Sequence, residues 1–318
     1  MHFDVFNGDA DGIIALVQLR LAQPKKSTLI TGVKRDISLV KKVPVEQATS
    51  VTVLDVSLEK NIDALIDLLE HNANVLYIDH HRAGEVPQSD KLQTIIDTDA
   101  NTCTSLLVNN YLNGQYANWA ITAAYGDNMN AAADLLAEQQ GLSQRQKSQL
   151  KAFGIYINYN GYGQSVNDLH FTPETLFSTL VKFTDPLTLI ADKNSVFYEL
   201  EAAYNQDMIK AEGASIIADS KTCKALQLPD EAWARRISGV FGNLLANQSP
   251  EKAHIVFTVN ADNSYTVSLR APLNNKQGAG DVCAQFPTGG GRAAAAGVNQ
   301  LPAEKINEFI EAVAQYYS

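Results

Sequence analysis

Cysteine is scarce in this chain: Cys103, Cys223 and Cys283 are three in number, far apart, and form no CxxC pair. A disulfide framework and a thiolate zinc knuckle are thereby excluded as organising principles. No basic stretch followed by an apolar one opens the sequence, and no apolar run approaches the roughly 18 residues that a spanning helix needs. The expectation is a cytoplasmic protein with no membrane partner. Positive charge is also in deficit, with 25 basic residues against 35 acidic and a formal net charge of −10. That balance argues against tracking a long polyanion by neutralising its phosphates. It leaves room for a small anion at one local site, because acids that bind divalent cations lower the formal charge without making the site repulsive.

What is present is enough apolar residue for a full core: 45% of 318 residues, a length that points to two domains. The first hundred residues alternate β-rich runs, Phe3–Phe6, Thr28–Val33, Val51–Asp55, Val75–Ile78 and Leu92–Ile96, with helical stretches at Gly12–Leu21 and Ile62–Leu69. This is the pattern of a doubly wound parallel α/β layer. From about Asn101 to Asp219 the pattern turns helical, ending in a stretch with Phe197, Leu200, Tyr204 and Met208 at helical spacing. Strand-like His254–Val259 and Tyr265–Leu269 then precede a glycine-rich segment and a closing helix near Ala303–Tyr317. The expected division is an N-terminal α/β domain over 1–190, a connecting helix over 191–219 and a smaller C-terminal α/β domain over 220–318, with the active site in the cleft between the domains.

Chemically loaded residues fall at the ends of the predicted strands, where open parallel sheets place their ligand crevice. FNGDADG supplies Asp9 and Asp11, VLDVS supplies Asp55, and YIDHH supplies Asp79, His80 and His81. Any one such pair reads equally well as turn or capping residues, but that account fails for three strand ends at once. Oxygen and imidazole ligands without thiolate suit Mn²⁺, Mg²⁺ or a related ion.

FNGDADG, VLDVS and IDHH resemble motifs I to III of the DHH phosphoesterases, a superfamily that includes RecJ exonucleases, nanoRNases and manganese pyrophosphatases. AAYGDN, Ala123–Asn128, resembles motif IV and supplies Asp127. The resemblance implies a two-metal site for Mn²⁺, with Mg²⁺ as alternative, in which Asp55 bridges, Asp9 and Asp11 belong to different ions, and His80 and Asp127 complete the set. It implies that His81 faces the substrate phosphate and that Asp79 orients an imidazole. Where many members carry a histidine four residues before the first motif I aspartate, this chain has Val5, so Asn7 is weighed as a substitute ligand or as a helix cap. Asp97 and Asp99 are left outside the ligand set, Asp99 reading as a cap. His2, His71, His170 and His254 are assigned structural or surface roles.

The segment from Val267 to Gly297 resembles the DHH-associated C-terminal domain, whose mark is GGGHxxAAG after a strand bearing a substrate-contacting arginine. By that match Arg270 holds a phosphate or base, and Gly289, Gly290 and Gly291 form a loop facing the metal site. Arg292 stands at the usual histidine position as a permanent, fork-shaped phosphate ligand. Between the domains, INYNGYG at 157–163 is expected as a polar loop with two half-buried tyrosines, base stacking being the alternative.

The expected activity is hydrolysis of linear dinucleotides or very short oligoribonucleotides such as pGpG, since the chain ends after the glycine-rich domain. Long nucleic acid is not an expected partner, and both monomer and homodimer stay open. The alternatives are a 3′-phosphoadenosine-5′-phosphate phosphatase, a cyclic dinucleotide phosphodiesterase, a single-strand exonuclease and, outside catalysis, a nucleotide-binding sensor.

Overall fold

The computed structural model describes residues 1–99 and 101–318. The chain divides into two compact units, Met1–Ala202 and Ala203–Ser318. The first unit is built on parallel strands β1 (His2–Phe6), β2 (Thr28–Ile30), β3 (Ser50–Leu54), β4 (Asn74–Asp79) and β5 (Leu92–Ile96), in the order β2-β1-β3-β4-β5. The chain leaves β1 for one side, to β2, and then crosses to the other, to β3, so the strand order reverses between β1 and β3. Ligand crevices of open α/β sheets form at such switch points, beyond the carboxyl ends of the strands. Asp9 and Asp11 follow β1, and Asp55 follows β3.

Central strands here are buried on both faces. Phe3 and Val5 of β1 pack with Val51, Val53, Leu65 and Tyr77 on one side. On the other side Phe6 meets Phe177, their ring centroids 5.9 Å apart, and Asp4 accepts from Arg20 Nε at 2.9 Å. The helices of this unit are α1 (Ala10–Ala22), α2 (Ile62–Glu70), α3 (Thr104–Tyr111), α4 (Ala117–Gly126), α5 (Asn130–Gln139), α6 (Gln144–Asn160), α7 (Pro173–Leu180), α8 (Pro186–Ala191) and α9 (Val196–Ala211), the last running across the division. Helix α1 is buried from Ala10 to Arg20, as an apolar sequence with no solvent face requires. Helices α4 and α6 cross at glycines. A Cβ on Gly154 would stand 2.0 Å from Thr122 O, and one on Gly126 would stand 2.7 Å from both Ala10 Cβ and Gly154 O. That close approach brings the carboxyl end of α4, with Asp127, and the end of α6, with Asn158, to the start of α1.

The second unit holds a mixed sheet in the order β10-β11-β9-β8-β7-β6. Its strands are β6 (Ser215–Asp219), β7 (Cys223–Leu228), β8 (Ala253–Val259), β9 (Tyr265–Arg270), β10 (Gly289–Gly291) and β11 (Ala295–Leu301), and its helices α10 (Ala232–Gln248), α11 (Ala279–Cys283) and α12 (Ile306–Tyr316). Its core centres on Phe257, Phe286, Phe309 and Val313.

Several boundaries depart from the sequence reading. Helix α9 ends at Ala211, and Ser215–Asp219, expected inside the connecting helix, pairs with β7 as an edge strand. β2 stops at Ile30 instead of reaching Val33. INYN of the expected 157–163 loop is the last turn of α6, with Asn158 and Asn160 buried. The triple glycine is no loop: it is β10, paired antiparallel with β11, and the turn of this hairpin carries Arg292, whose N donates to Ala295 O at 2.9 Å. Among the described residues no helix is long and apolar enough to cross a membrane.

Candidate metal centre

The carboxylates at the head of α1 are fixed by backbone geometry. Asp9 caps the helix: its Oδ1 accepts from Asp11 N at 2.9 Å and Gly12 N at 3.0 Å, leaving Oδ2 for other partners. Asn7 is not the cap. Its Oδ1 accepts from Asp9 N at 3.2 Å and its Nδ2 donates to Lys34 O at 3.2 Å. Val5, at the position weighed for a histidine, is core and has no exposed surface.

Asp11 reaches across to α3 and accepts from Thr104 N at 2.8 Å and Ser105 N at 2.7 Å, doing at a distance what an N-cap does locally. The exposed Asp97 and Asp99 accept from Asp99 N and Asn101 N through their Oδ1 atoms, and neither caps α3, whose N-cap residue is Cys103.

Asp55 sits just past β3 in the left-handed region, φ 58°, a costly conformation for a residue with a Cβ. The turn directs its carboxylate back over the sheet edge, where Oδ1 accepts from Thr104 Oγ1 at 3.3 Å. Burial, followed by the Asp9 and Asp11 charges, pushes its carboxyl well above the usual carboxylate range.

His80 completes a group of acceptors. Its Nδ1 donates to Thr102 O at 2.9 Å, which fixes the tautomer and turns Nε2 toward Asp55 Oδ1 at 3.3 Å and Asp11 Oδ2 at 3.7 Å. A nitrogen lone pair facing two buried carboxylates needs a proton or a cation among them, and an imidazole held by a backbone carbonyl is the usual arrangement of a metal-ligating histidine. Asp55, His80 and His81 offer ligand atoms within 4.8 Å of one another. Hydrogen bonding separates the two histidines, because His81 Nδ1 lies 2.7 Å from Asp79 Oδ1 and 3.8 Å from Asp55 Oδ1. His81 Nδ1 is thus engaged by Asp79, which leaves Nε2 as the ring's other nitrogen, on a side chain one third exposed. The rings of His80 and His81 meet edge to face at 4.6 Å.

On the other side of Asp9 stands a lysine that the sequence reading did not single out. Lys34 Nζ contacts Asp9 Oδ2, lies 3.1 Å from Asn158 Oδ1 and 3.5 Å from Asp127 Oδ1, and sits 5.4 Å from the centroid of the Tyr162 ring. Burial and Asp127 push the Asp9 carboxyl up, and the Lys34 ammonium more than offsets them, holding it below the usual range. Cys103, buried nearby, is kept a neutral thiol by burial and by the Asp11 and Asp127 charges, so it is not a thiolate ligand. The residues thus fit a hard or borderline divalent ion on the His80 side, where oxygen and imidazole donors converge. On the Asp9–Asp127 side an ammonium already stands.

In the second unit, Arg270 is buried and tied to its own fold. Nε donates to Asn243 Oδ1 at 2.5 Å, Nη1 to Ser268 Oγ at 3.0 Å and Nη2 to Gly239 O at 3.0 Å, joining β9 to α10.

Comparison with known proteins agrees with this architecture. The DHH family, N-terminal domain, matches residues 3–137, and the DHHA1 domain matches residues 220–318. The chain belongs to the DHH superfamily, whose members are phosphoesterases. No curated protein matches it in sequence. Among solved structures it is similar to a DHH-domain protein described as a member of a family of ribosomal proteins, at 13% identity and a TM-score of 0.64 over 99% of this chain and 86% of that one. RecJ of Thermus thermophilus in complex with Mn²⁺ is similar at 16% identity and a TM-score of 0.57, over 99% of this chain and 52% of RecJ. A pGpG-specific phosphodiesterase of Vibrio cholerae is similar at 13% identity and a TM-score of 0.53, over 100% of this chain and 99% of that one. At these identities the likeness is one of fold.

Lys34 is the residue of the site that sequence reasoning missed, and Asn158 entered it only as part of the polar 157–163 run. A lysine four residues past an edge strand carries no motif. The one available signal was that the turn after β2 ends at the same sheet edge as the turns after β1 and β3.

Proposed function

We propose that the protein is a metal-dependent phosphodiesterase that hydrolyses linear dinucleotides and very short oligoribonucleotides, pGpG among them, to mononucleotides. The observation that carries this reading is the facing of His80 Nε2, Asp55 and Asp11 at the switch point of a DHH-type sheet. Support for the substrate class comes from the net charge of −10, which disfavours a long polyanion, and from the likeness to the Vibrio cholerae enzyme over nearly all of both chains.

Asp55, His80 and Asp11 would hold Mn²⁺ or Mg²⁺, and the bound ion supplies a water of lowered pKa together with positive charge for the phosphoryl oxygens. Asp79 holds the His81 ring by Nδ1, which leaves Nε2 to meet a phosphate oxygen and stabilises the imidazolium when that nitrogen carries a proton. Arg292, on the turn of the β10–β11 hairpin, grips a substrate phosphate.

The test is a panel of 5′-phosphorylated RNA of increasing length with EDTA-stripped protein, alone and with added Mn²⁺ or Mg²⁺. Metal-dependent release of mononucleotide, fastest from the dinucleotide, is the expected result. Faster cleavage of long strands removes the short-substrate reading, and no cleavage of any member removes the enzyme reading.

A further inference from the structure

We infer that Lys34 is a built-in counter-ion of the acidic centre, its ammonium standing where a second cation would have to sit between Asp9 and Asp127, so that the centre takes one divalent ion and not two. The inference rests on the metal-dependent reading above and concerns how many ions that reading involves.

The acids at this sheet edge fall into two groups. Asp11 and Asp55 face a histidine nitrogen, an oxygen and imidazole donor set that a divalent ion fits. Asp9 and Asp127 instead share the Lys34 ammonium, which Asn158 Oδ1 also accepts from at 3.1 Å. A divalent ion bound by Asp9 Oδ2 and Asp127 Oδ1 would come within a few ångströms of that ammonium. The ammonium already occupies Asp9 Oδ2 and leaves the pair one net negative charge, so an ion there must displace it and meets half the charge that the two carboxylates alone would offer.

Lys34 is also held in place along its whole length. Its N donates to Gly161 O at 2.8 Å and its O accepts from Asn7 Nδ2 at 3.2 Å. The head lies 5.4 Å from the centroid of the Tyr162 ring, and Asn158 is buried. Swinging the side chain away would take this donor from the buried Asn158 carbonyl, which is costlier than an ordinary lost hydrogen bond. The neighbours add no ligand to recruit: Val5 is enclosed in the apolar core, and the Asn7 amide is spent on Asp9 N and Lys34 O. The fixed charge has a use in the proposed reaction. It offsets part of the acidic charge at this end of the site without depending on metal supply.

The experiment counts ions. Full-length protein is stripped with EDTA, reloaded with Mn²⁺ and freed of unbound metal. Bound manganese per chain is then measured by mass spectrometry, and electron paramagnetic resonance distinguishes an isolated Mn²⁺ from an exchange-coupled pair. Wild type is expected to hold one ion with the isolated signal, and Lys34→Met is expected to hold two with the coupled signal. Two ions in wild type overturn the inference outright, even where Lys34→Met does not fold. One ion in a folded Lys34→Met overturns the role given to the ammonium. A wild type that binds none sinks the metal-dependent reading itself, an outcome distinct from either of these.

Discussion

His81 Nδ1 lies 2.7 Å from Oδ1 of Asp79, a fully buried carboxylate whose Oδ2 has no hydrogen-bond partner among the described residues. A carboxylate withdrawn from solvent to hold one ring nitrogen fixes the direction of the other nitrogen. Asp79→Asn should therefore lower kcat by roughly ten- to a hundredfold while bound Mn²⁺ stays at the wild-type level. Loss of metal in Asp79→Asn would show instead that the carboxylate supports the ion.

Asp55 yields a prediction with a definite sign in pH. Burial and the charges of Asp9 and Asp11 raise its folded-state pKa above the unfolded value. A raised pKa means that the metal-free fold binds the Asp55 proton more tightly than the unfolded chain does. The associated stability is full below the unfolded value near 3.8 and is lost as pH climbs from there through the folded pKa. Asp55→Asn removes the repulsion, so its metal-free Tm at neutral pH should exceed that of wild type, by about 2–4 °C for each kcal/mol recovered. Turnover should be abolished and stabilisation by Mn²⁺ lost. Thermal unfolding of both proteins between pH 4 and 8, with and without Mn²⁺, and an assay of turnover check all three outcomes. A variant less stable than wild type without metal would overturn the electrostatic account.

At the end of α6, a Cβ on Gly161 would stand 2.9 Å from both Asp9 Cα and Gly8 O. Gly161 O also anchors Lys34 N. Gly161→Ala should cost about 1–3 kcal/mol by overpacking and should reduce activity through displacement of Asp9. Denaturant unfolding together with kcat/KM measures both effects, and an unchanged enzyme would mean that the loop relaxes away from α1.

The carboxylates are not interchangeable. Asp4 lies within β1, where Arg20, Ser27 and His2 hold it, and burial, more than offset by Arg20 and His2, leaves it far below the usual carboxylate range. Arg20→Ala leaves that charge buried and should cost about 3–5 kcal/mol. At a temperature where the variant is folded, kcat should match wild type, because the pair lies away from the strand ends.

Arg292 tests the substrate reading. Loss of a bidentate contact to phosphate costs on the order of 1.5–3 kcal/mol. At saturating metal, Arg292→Ala should therefore lower kcat/KM for a 5′-phosphorylated dinucleotide by roughly ten- to a hundredfold and should affect the unphosphorylated dinucleotide less. An equal fall for both would place Arg292 at the scissile phosphate or in support of the hairpin.

The sequence by itself determined the parallel sheet and the identity of most acidic and imidazole groups at its edge. Apolar strands and helices of distinct period are local properties. Asp9, Asp11, Asp55 and His80 all follow strands, so the rule that strand ends share one edge was enough to group them. The C-terminal glycines were visible as composition but not as β10, because pairing with β11 is a register between residues on either side of a turn. In the same way, the polar run at 157–163 lies half in α6, since two glycines let α6 approach α4 closely enough to bury asparagines. Only the tertiary structure decided what stands against each carboxylate. Lys34 follows the edge strand β2 and Asp127 ends α4, and no periodicity or spacing links them. They meet over Asp9 because the crossing of α4 and α6 and the neighbouring of β1 and β2 are long-range packing events. Charge neutralisation depends on distances of a few ångströms, which packing sets and sequence order does not.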